Sequence, residues 1–158
     1  MTQDEIFMLE AIKEAEIAVK EGNWPFGCVI VVDGKIVARA HNTGYTDHNR
    51  MAHAEIKALY QAKEILEKNK GKTTLYTTFE PCPMCFGACL VMKIRRVVAG
   101  INLDDSGGFT LKDSLPKYFK QEKFAIETEI GVLAEQCKEV YLKGEPVKKH
   151  IKRGNVKL

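Results

Sequence analysis

The feature that most restricts this chain is an apolar run, Cys28-Val-Ile-Val-Val32, which breaks at Asp33-Gly34 and resumes as Lys35 to Ala40. Asp-Gly accepts the positive φ angles of a two-residue hairpin turn, so the segment predicts two antiparallel strands. Helices and strands then alternate around that hairpin. Before it, Thr2 and Glu5 fit a capping box ahead of Met8, Ala11, Ile12, Ala15 and Val19 at helical spacing, with a stop at Gly22. After it, the polar loop Asn42 to Asn49 leads to a helix from His53 to Lys68, with Ile56, Leu59, Ala62 and Leu66 inward and Lys70-Gly71 at its end. Thr73 to Thr78 reads as a strand, and Pro81-Cys82-Pro83-Met84-Cys85 opens a third helix reaching Lys93. Arg96 to Ile101 is a fourth strand. Beyond Gly107-Gly108, a short helix is expected over Asp113 to Lys120, a strand over Phe124 to Glu129 and a helix over Leu133 to Lys143. Strands alternating with helices beyond a hairpin predict an α/β fold, one mixed sheet with helices on both faces.

With 158 residues and no internal repeat or Pro/Gly/Ser linker, the chain suits one domain. Its 45 % apolar and 28 % charged residues exclude disordered, collagen-like and coiled-coil classes. No apolar run approaches the ~18 residues of a membrane span, and Met1-Thr2-Gln3-Asp4-Glu5 lacks the order of a signal peptide. A cytoplasmic protein without membrane contact is expected. The odd count of five cysteines then points to thiols used for packing, metal binding or redox work. The net charge of +3 comes from the C-terminus, where residues 143–158 hold six Lys or Arg against one Glu, leaving 18 basic and 20 acidic residues before them. Residues 1–145 therefore read as the domain and 146–158 as a basic tail. That tail is either a solvated, frayed terminus or a nucleic-acid footprint.

Two segments carry chemistry: His53-Ala54-Glu55 and Pro81-Cys82-Pro83-Met84-Cys85, with 25 residues between them. Alone, the first is commonly an ordinary surface or core pair, and Cys-x-x-Cys serves redox, structural zinc or neither. Cys82 and Cys85 fall in the first turn of a helix, where free N–H groups and the positive dipole end favour thiolate. His53 opens its own helix, so two helix starts can meet around one cation. Imidazole with thiolate selects Zn²⁺ over Mg²⁺ or Ca²⁺. Three protein donors leave one tetrahedral position open, the mark of a catalytic site. A zinc ion already neutralised by two thiolates acidifies water less than an all-histidine site does, so a nearby base is useful. Glu55, about 200° around the helix from His53, suits that role better than ligation.

At these residues the chain resembles the cytidine deaminase-like superfamily, in its branch of guanine deaminases, tRNA adenosine deaminases and fungal-type cytosine deaminases, whose signature is H-x-E followed by P-C-x-x-C. The likeness runs from about Trp24 to Gly100 and more faintly to Leu142. It implies a three-layer α/β/α sandwich with a central five-stranded mixed sheet, so that residues 1–145 form a zinc deaminase domain. It further implies zinc-hydroxide attack on an amidine-like carbon, release of ammonia, and a homodimer or higher oligomer. His53, Cys82 and Cys85 correspond to the zinc ligands and Glu55 to the proton shuttle. Asn42, 11 positions before His53, together with Phe26 and Ala54, corresponds to residues that hold the substrate ring.

On substrate the resemblance is divided. Pro25-Phe26-Gly27 and Asp104-Asp105-Ser106-Gly107-Gly108-Phe109 are similar to guanine deaminases, whereas Gly131 to Cys137 is similar to the last helix of tRNA enzymes, although their Phe-Phe-x-x-Arg ending is missing. The expectation is a small-molecule nucleobase or nucleoside, guanine first and then cytosine. The alternative is a tRNA adenosine deaminase using the basic tail. A different class, a structural zinc or nucleic-acid-binding module, requires Cys89 or a histidine to close the fourth position, and a thiol redox protein fits poorly because Cys82 and Cys85 have a metal partner in His53. Cys28, Cys89 and Cys137 read as core, His41 and His48 as loop residues, His150 as solvated, and Trp24 as a pocket wall or sheet anchor.

Overall fold

The computed structural model describes residues 1–69 and 71–155. Lys70 of the expected helix stop and the last three residues of the basic tail lie outside the described residues. Helix α1 (Gln3–Lys20) starts on the expected capping box: the Glu5 N–H donates to the Thr2 hydroxyl at 3.2 Å, and the Thr2 N–H donates to the Glu5 carboxylate at 2.7 Å. Strands β1 (Gly27–Val32) and β2 (Lys35–His41) are joined by Asp33 and Gly34 at φ 48° and 76°, both left-handed as a type I′ turn requires. Helix α2 (Ala54–Lys68), β3 (Thr73–Phe79), α3 (Pro83–Val91), β4 (Arg96–Ile101), β5 (Glu127–Ile130), α4 (Ala134–Lys143) and α5 (Glu145–Lys152) follow.

The five strands form one sheet in the order β2-β1-β3-β4-β5, with β1 antiparallel to β2 and β3, and β3, β4 and β5 parallel. One core lies under α2 and α3 and includes Ile30, Leu59, Leu75 and Phe86; the other lies under α1 and α4 and includes Met8, Val29, Tyr76 and Val140. This is the expected three-layer α/β/α sandwich. Every residue of β1 is buried because helices cover both of its faces. Gly27 lets α1 come close, since a Cβ there would sit 2.0 Å from the Ala11 carbonyl oxygen. Among the described residues, no helix is long and apolar enough to cross a membrane.

The C-terminal third departs from expectation. In place of a helix over Asp113 to Lys120 there are three 3-10 turns, Phe109–Ser114, Lys117–Lys120 and Glu122–Phe124. Pro116 forces Leu115 to an extended ψ of 144° and interrupts any longer helix. The last strand begins at Glu127 and not at Phe124, because Phe124 turns inward against Phe119 at 5.0 Å and Tyr118 at 5.4 Å. The solvated, frayed tail is likewise corrected. Glu145–Lys152 is a helix with Pro146 in its first turn, and Pro146 and Val147 are buried, so the expected boundary after residue 145 falls inside an element of the domain.

Candidate active site

Helices α2 and α3 both begin at the edge of the sheet where β3 ends, the customary location for ligands in open α/β sheets. His53 is the N-cap of α2 and Cys82 the N-cap of α3, each extended and neither making a side-chain cap bond. Pro83 supplies the first helical position of α3, where a missing N–H costs nothing. Cys85 completes that turn. The His53 Nδ1 lies 3.6 Å from the Cys82 Sγ and 3.4 Å from the Cys85 Sγ, and the three donor atoms all fall within 4.8 Å of one another. Among the described residues no fourth His, Cys, Asp or Glu joins this group. Cys89 instead lies in the core beneath α2 and α3, where burial raises its thiol pKa, and Cys28 and Cys137 are buried as expected.

The donors are chemically prepared for a cation. Hydrogen bonding from Cys85, and secondarily from His53, holds the Cys82 thiol down at about 4, while the shared proton and burial raise Cys85. The Cys82 contact also raises the His53 imidazole above its usual range. A thiolate beside imidazole, with a second thiol that gives up its proton on metal binding, is a soft-to-borderline donor set that fits Zn²⁺.

Glu55 stands in the first turn of α2, nearly fully buried, and burial raises its pKa. Its Oε1 accepts a hydrogen bond from the Thr77 hydroxyl at 2.8 Å, across from the middle of β3. A cavity of about 220 Å³ is lined by Phe26, Asn42, His53, Glu55 and Cys82, with Trp24, Phe79, Glu80, Asp104, Ser106 and Tyr141 completing its wall. Five of the seven expected site residues therefore meet there. Cys85 is held just beneath, whereas Ala54 is fully buried in the core and does not line this cavity. Asn42 acts both as turn former and wall: its Oδ1 accepts from the Gly44 N–H at 2.9 Å. Phe26 likewise serves both functions, stacked on Trp24 at 5.9 Å and packed against Phe79 and Tyr141.

Sequence reasoning missed Thr77, Glu80, Phe79 and Tyr141. Tyr141 reads as helix core by spacing, and it is core while also lining the cavity. Glu80 immediately precedes the Pro-Cys pair, which was its only signal. His41 stays away from the cavity, with its two nitrogens 2.9 Å from Glu14 and Glu21. His150, expected in solvent, packs against Trp24 at 5.0 Å. A second cleft of about 550 Å³ shares Trp24, Asn42 and His53 with the cavity and extends it along Tyr45, His48, Asn49 and Arg50. A separate cleft of about 910 Å³ around Asp4, Tyr76 and Arg96 contains none of the thiol or imidazole donors.

Residues 1–101 match the family described as cytidine and deoxycytidylate deaminase zinc-binding region. The chain is 42 % identical over 140 residues to the tRNA-specific adenosine deaminase of Bacillus subtilis strain 168, covering 87 % of this chain and 85 % of that one. A solved structure from biochemical and structural studies of A-to-I editing by tRNA:A34 deaminases at the wobble position is 31 % identical with a TM-score of 0.71, covering 85 % of this chain and 98 % of that one. The guanine deaminase structure from Bacillus subtilis is 36 % identical with a TM-score of 0.57, over 64 % of this chain and 66 % of that one. The expectation of a free nucleobase or nucleoside, guanine first and then cytosine, is thereby corrected: both of these matches that combine more than 30 % identity with more than four-fifths of this chain bear the tRNA name. The physical reason lies beside the donors, where the cavity shares Trp24, Asn42 and His53 with a larger cleft, so the space extends past what one base would fill.

Proposed function

We infer that this chain, which belongs to the cytidine and deoxycytidylate deaminase zinc-binding family, deaminates adenosine within transfer RNA to inosine with release of ammonia. The observation that carries the reading is the match over most of the chain to the tRNA-specific adenosine deaminase of Bacillus subtilis. The site agrees with it. A base in RNA must leave its stack to reach a buried reaction centre, and its backbone then needs a track outside. The cleft supplies one, with Tyr45, 55 % exposed, available for base stacking and Arg50 for phosphate. Helix α5 adds exposed Lys148, Lys149, Lys152 and Arg153, joined to the cavity wall through His150 on Trp24.

In this reading His53, Cys82 and Cys85 would hold the zinc ion, and Glu55 carries two protons in turn, the first from water to the adenine ring nitrogen and the second from the added hydroxyl to the departing amine. Bound zinc supplies the acidity that makes water a nucleophile near neutral pH. Burial raises the proton affinity of the Glu55 carboxylate, and Thr77 holds Oε1 so that Oε2 remains for the reaction. Phe26 and Asn42 hold the ring, Phe26 by its face and Asn42 by its amide nitrogen, the oxygen being engaged in the turn. Among the described residues three donors gather, so a bound zinc would keep a position for water, which opposes the structural-zinc alternative.

A homodimer in the cytoplasm completes the reading, supported by Met84 and Val91, 37 % and 62 % exposed on one side of α3. The test is nucleoside analysis of a tRNA anticodon hairpin after incubation with the zinc-loaded protein, beside free guanine, adenine, cytosine and their nucleosides. Inosine in the hairpin, with no ammonia from the free compounds, is expected. Ammonia from a free base with an unchanged hairpin refutes the reading.

A further inference from the structure

Glu80 is nearly buried and stands directly before the Pro81-Cys82 turn, yet it holds no part of the metal group. Its carboxylate faces the segment from Asn102 to Phe109. Oε1 accepts from the Phe109 N–H at 2.9 Å and Oε2 from the Asn102 Nδ2 at 2.8 Å. Gly107 lies flat against the same carboxyl, where a Cβ would sit 2.1 Å from its carbon and 2.2 Å from Oε1. The backbones are tied as well: the Glu80 N–H donates to the Ile101 carbonyl and the Gly108 N–H to the Pro81 carbonyl, each at 2.7 Å. The segment is thus fastened at both ends to the residues that lead into Cys82.

From Glu80 the hold passes to the cavity. Asn102 donates to Glu80 with its nitrogen, and its oxygen accepts from the Asp104 N–H at 3.4 Å. The Asp104 carboxylate in turn accepts from the Ser106 N–H at 3.1 Å. Asp104 and Ser106 are the residues of this segment that line the cavity shared with His53 and Glu55. They are exposed and have no packing of their own to fix them. We propose that Glu80 is a positioning residue that acts through this relay, setting Asp104 and Ser106 as the wall that grips the purine of the RNA substrate. The inference rests on the function proposed above. Its effect falls on substrate binding, because Glu80 reaches neither the metal donors nor Glu55.

The test is a set of variants assayed on the adenosine-containing hairpin, with zinc content measured for each. Glu80→Ala should raise KM about tenfold, the scale of one or two lost hydrogen bonds, with kcat within about threefold and zinc retained. Glu80→Gln keeps one acceptor and should recover most of the loss. Gly107→Ala should raise KM similarly, because its new Cβ collides with the Glu80 carboxyl. In a Glu80→Ala background it should add nothing, since the collision is gone and the clamp is already lost. Glu80→Ala should also leave KM unchanged in a chain already carrying Asp104→Ala and Ser106→Ala. A fall in kcat at constant KM, loss of zinc, or multiplying effects in the double variants overturns the proposal. If the wild-type protein leaves the hairpin untouched, the function fails, and the clamp is judged by hydrogen exchange. Faster exchange of the Phe109 amide in Glu80→Ala, with α3 still protected, supports it; unchanged exchange refutes it.

Discussion

The hydroxyl of Thr77 lies 2.8 Å from Oε1 of Glu55 and 3.1 Å from the carbonyl of Phe79, so one buried hydrogen has two acceptors within reach. Removing it without changing side-chain shape isolates its effect. Thr77→Val should retain zinc and KM while kcat falls about 3- to 10-fold, the range of a single hydrogen bond, and Thr77→Ser should restore it. Steady-state kinetics on the RNA hairpin decide the matter, and an unchanged kcat would mean that Thr77 only fills space in β3.

The base and the metal donor separate by the same logic. Glu55→Ala should keep zinc by elemental analysis and lose roughly 10²- to 10⁴-fold in turnover, whereas His53→Ala should lose both metal and turnover. Undiminished inosine formation by Glu55→Ala removes the proton-shuttle assignment.

Helix α5 is basic outside and apolar inside, so deleting it would confuse RNA affinity with folding. Neutralising Lys148, Lys149 and Lys152 together to Gln avoids that. Binding of the hairpin should weaken, and the slope of log affinity against log salt should shrink by about 2, at ~0.7 per phosphate contact. Thermal unfolding should hardly change. Equal salt slopes for both proteins would take α5 out of the RNA-binding surface.

At the far end of the sheet, Arg96 grips both oxygens of Asp4 at 2.7 and 2.8 Å and Tyr76 donates to Oδ1, which together hold Asp4 below its ordinary pKa despite partial burial. A depressed carboxyl stabilises fully above its unfolded pKa near 3.9 and loses that contribution as pH falls through the lower folded value. Asp4→Asn should therefore unfold roughly 2–4 °C earlier at pH 7, about 1 kcal/mol, with the gap closing as the carboxyl becomes protonated in strong acid. A gap that persists there would trace the effect to packing.

The donor residues were legible because their constraints are local. Asp33-Gly34 needs two left-handed residues, Thr2 and Glu5 cap one helix, and Pro83 fixes the first turn that presents Cys82 and Cys85. What escaped depends on distant partners. Phe124 leaves the last strand for Phe119 and Tyr118, and β5 is a largely exposed edge without the alternation that reveals a strand. Six basic residues suggested a solvated tail until Pro146 and Val147 found the core. Glu80 resembled any acidic residue because its partners, Asn102 and Phe109, lie more than twenty positions away. The small-molecule expectation failed for a related reason: the motif describes the reaction centre, and the length of the cleft beyond it is set by a loop.

Helix α5 has two clients. Its inward residues must satisfy the interior of the protein and tolerate little change, while its outward lysines answer only to whatever lies outside. If α5 meets RNA as proposed, mutation can retune that grip at Lys148, Lys149 and Lys152 without weakening the fold, whereas an exchange at Val147 would damage both together.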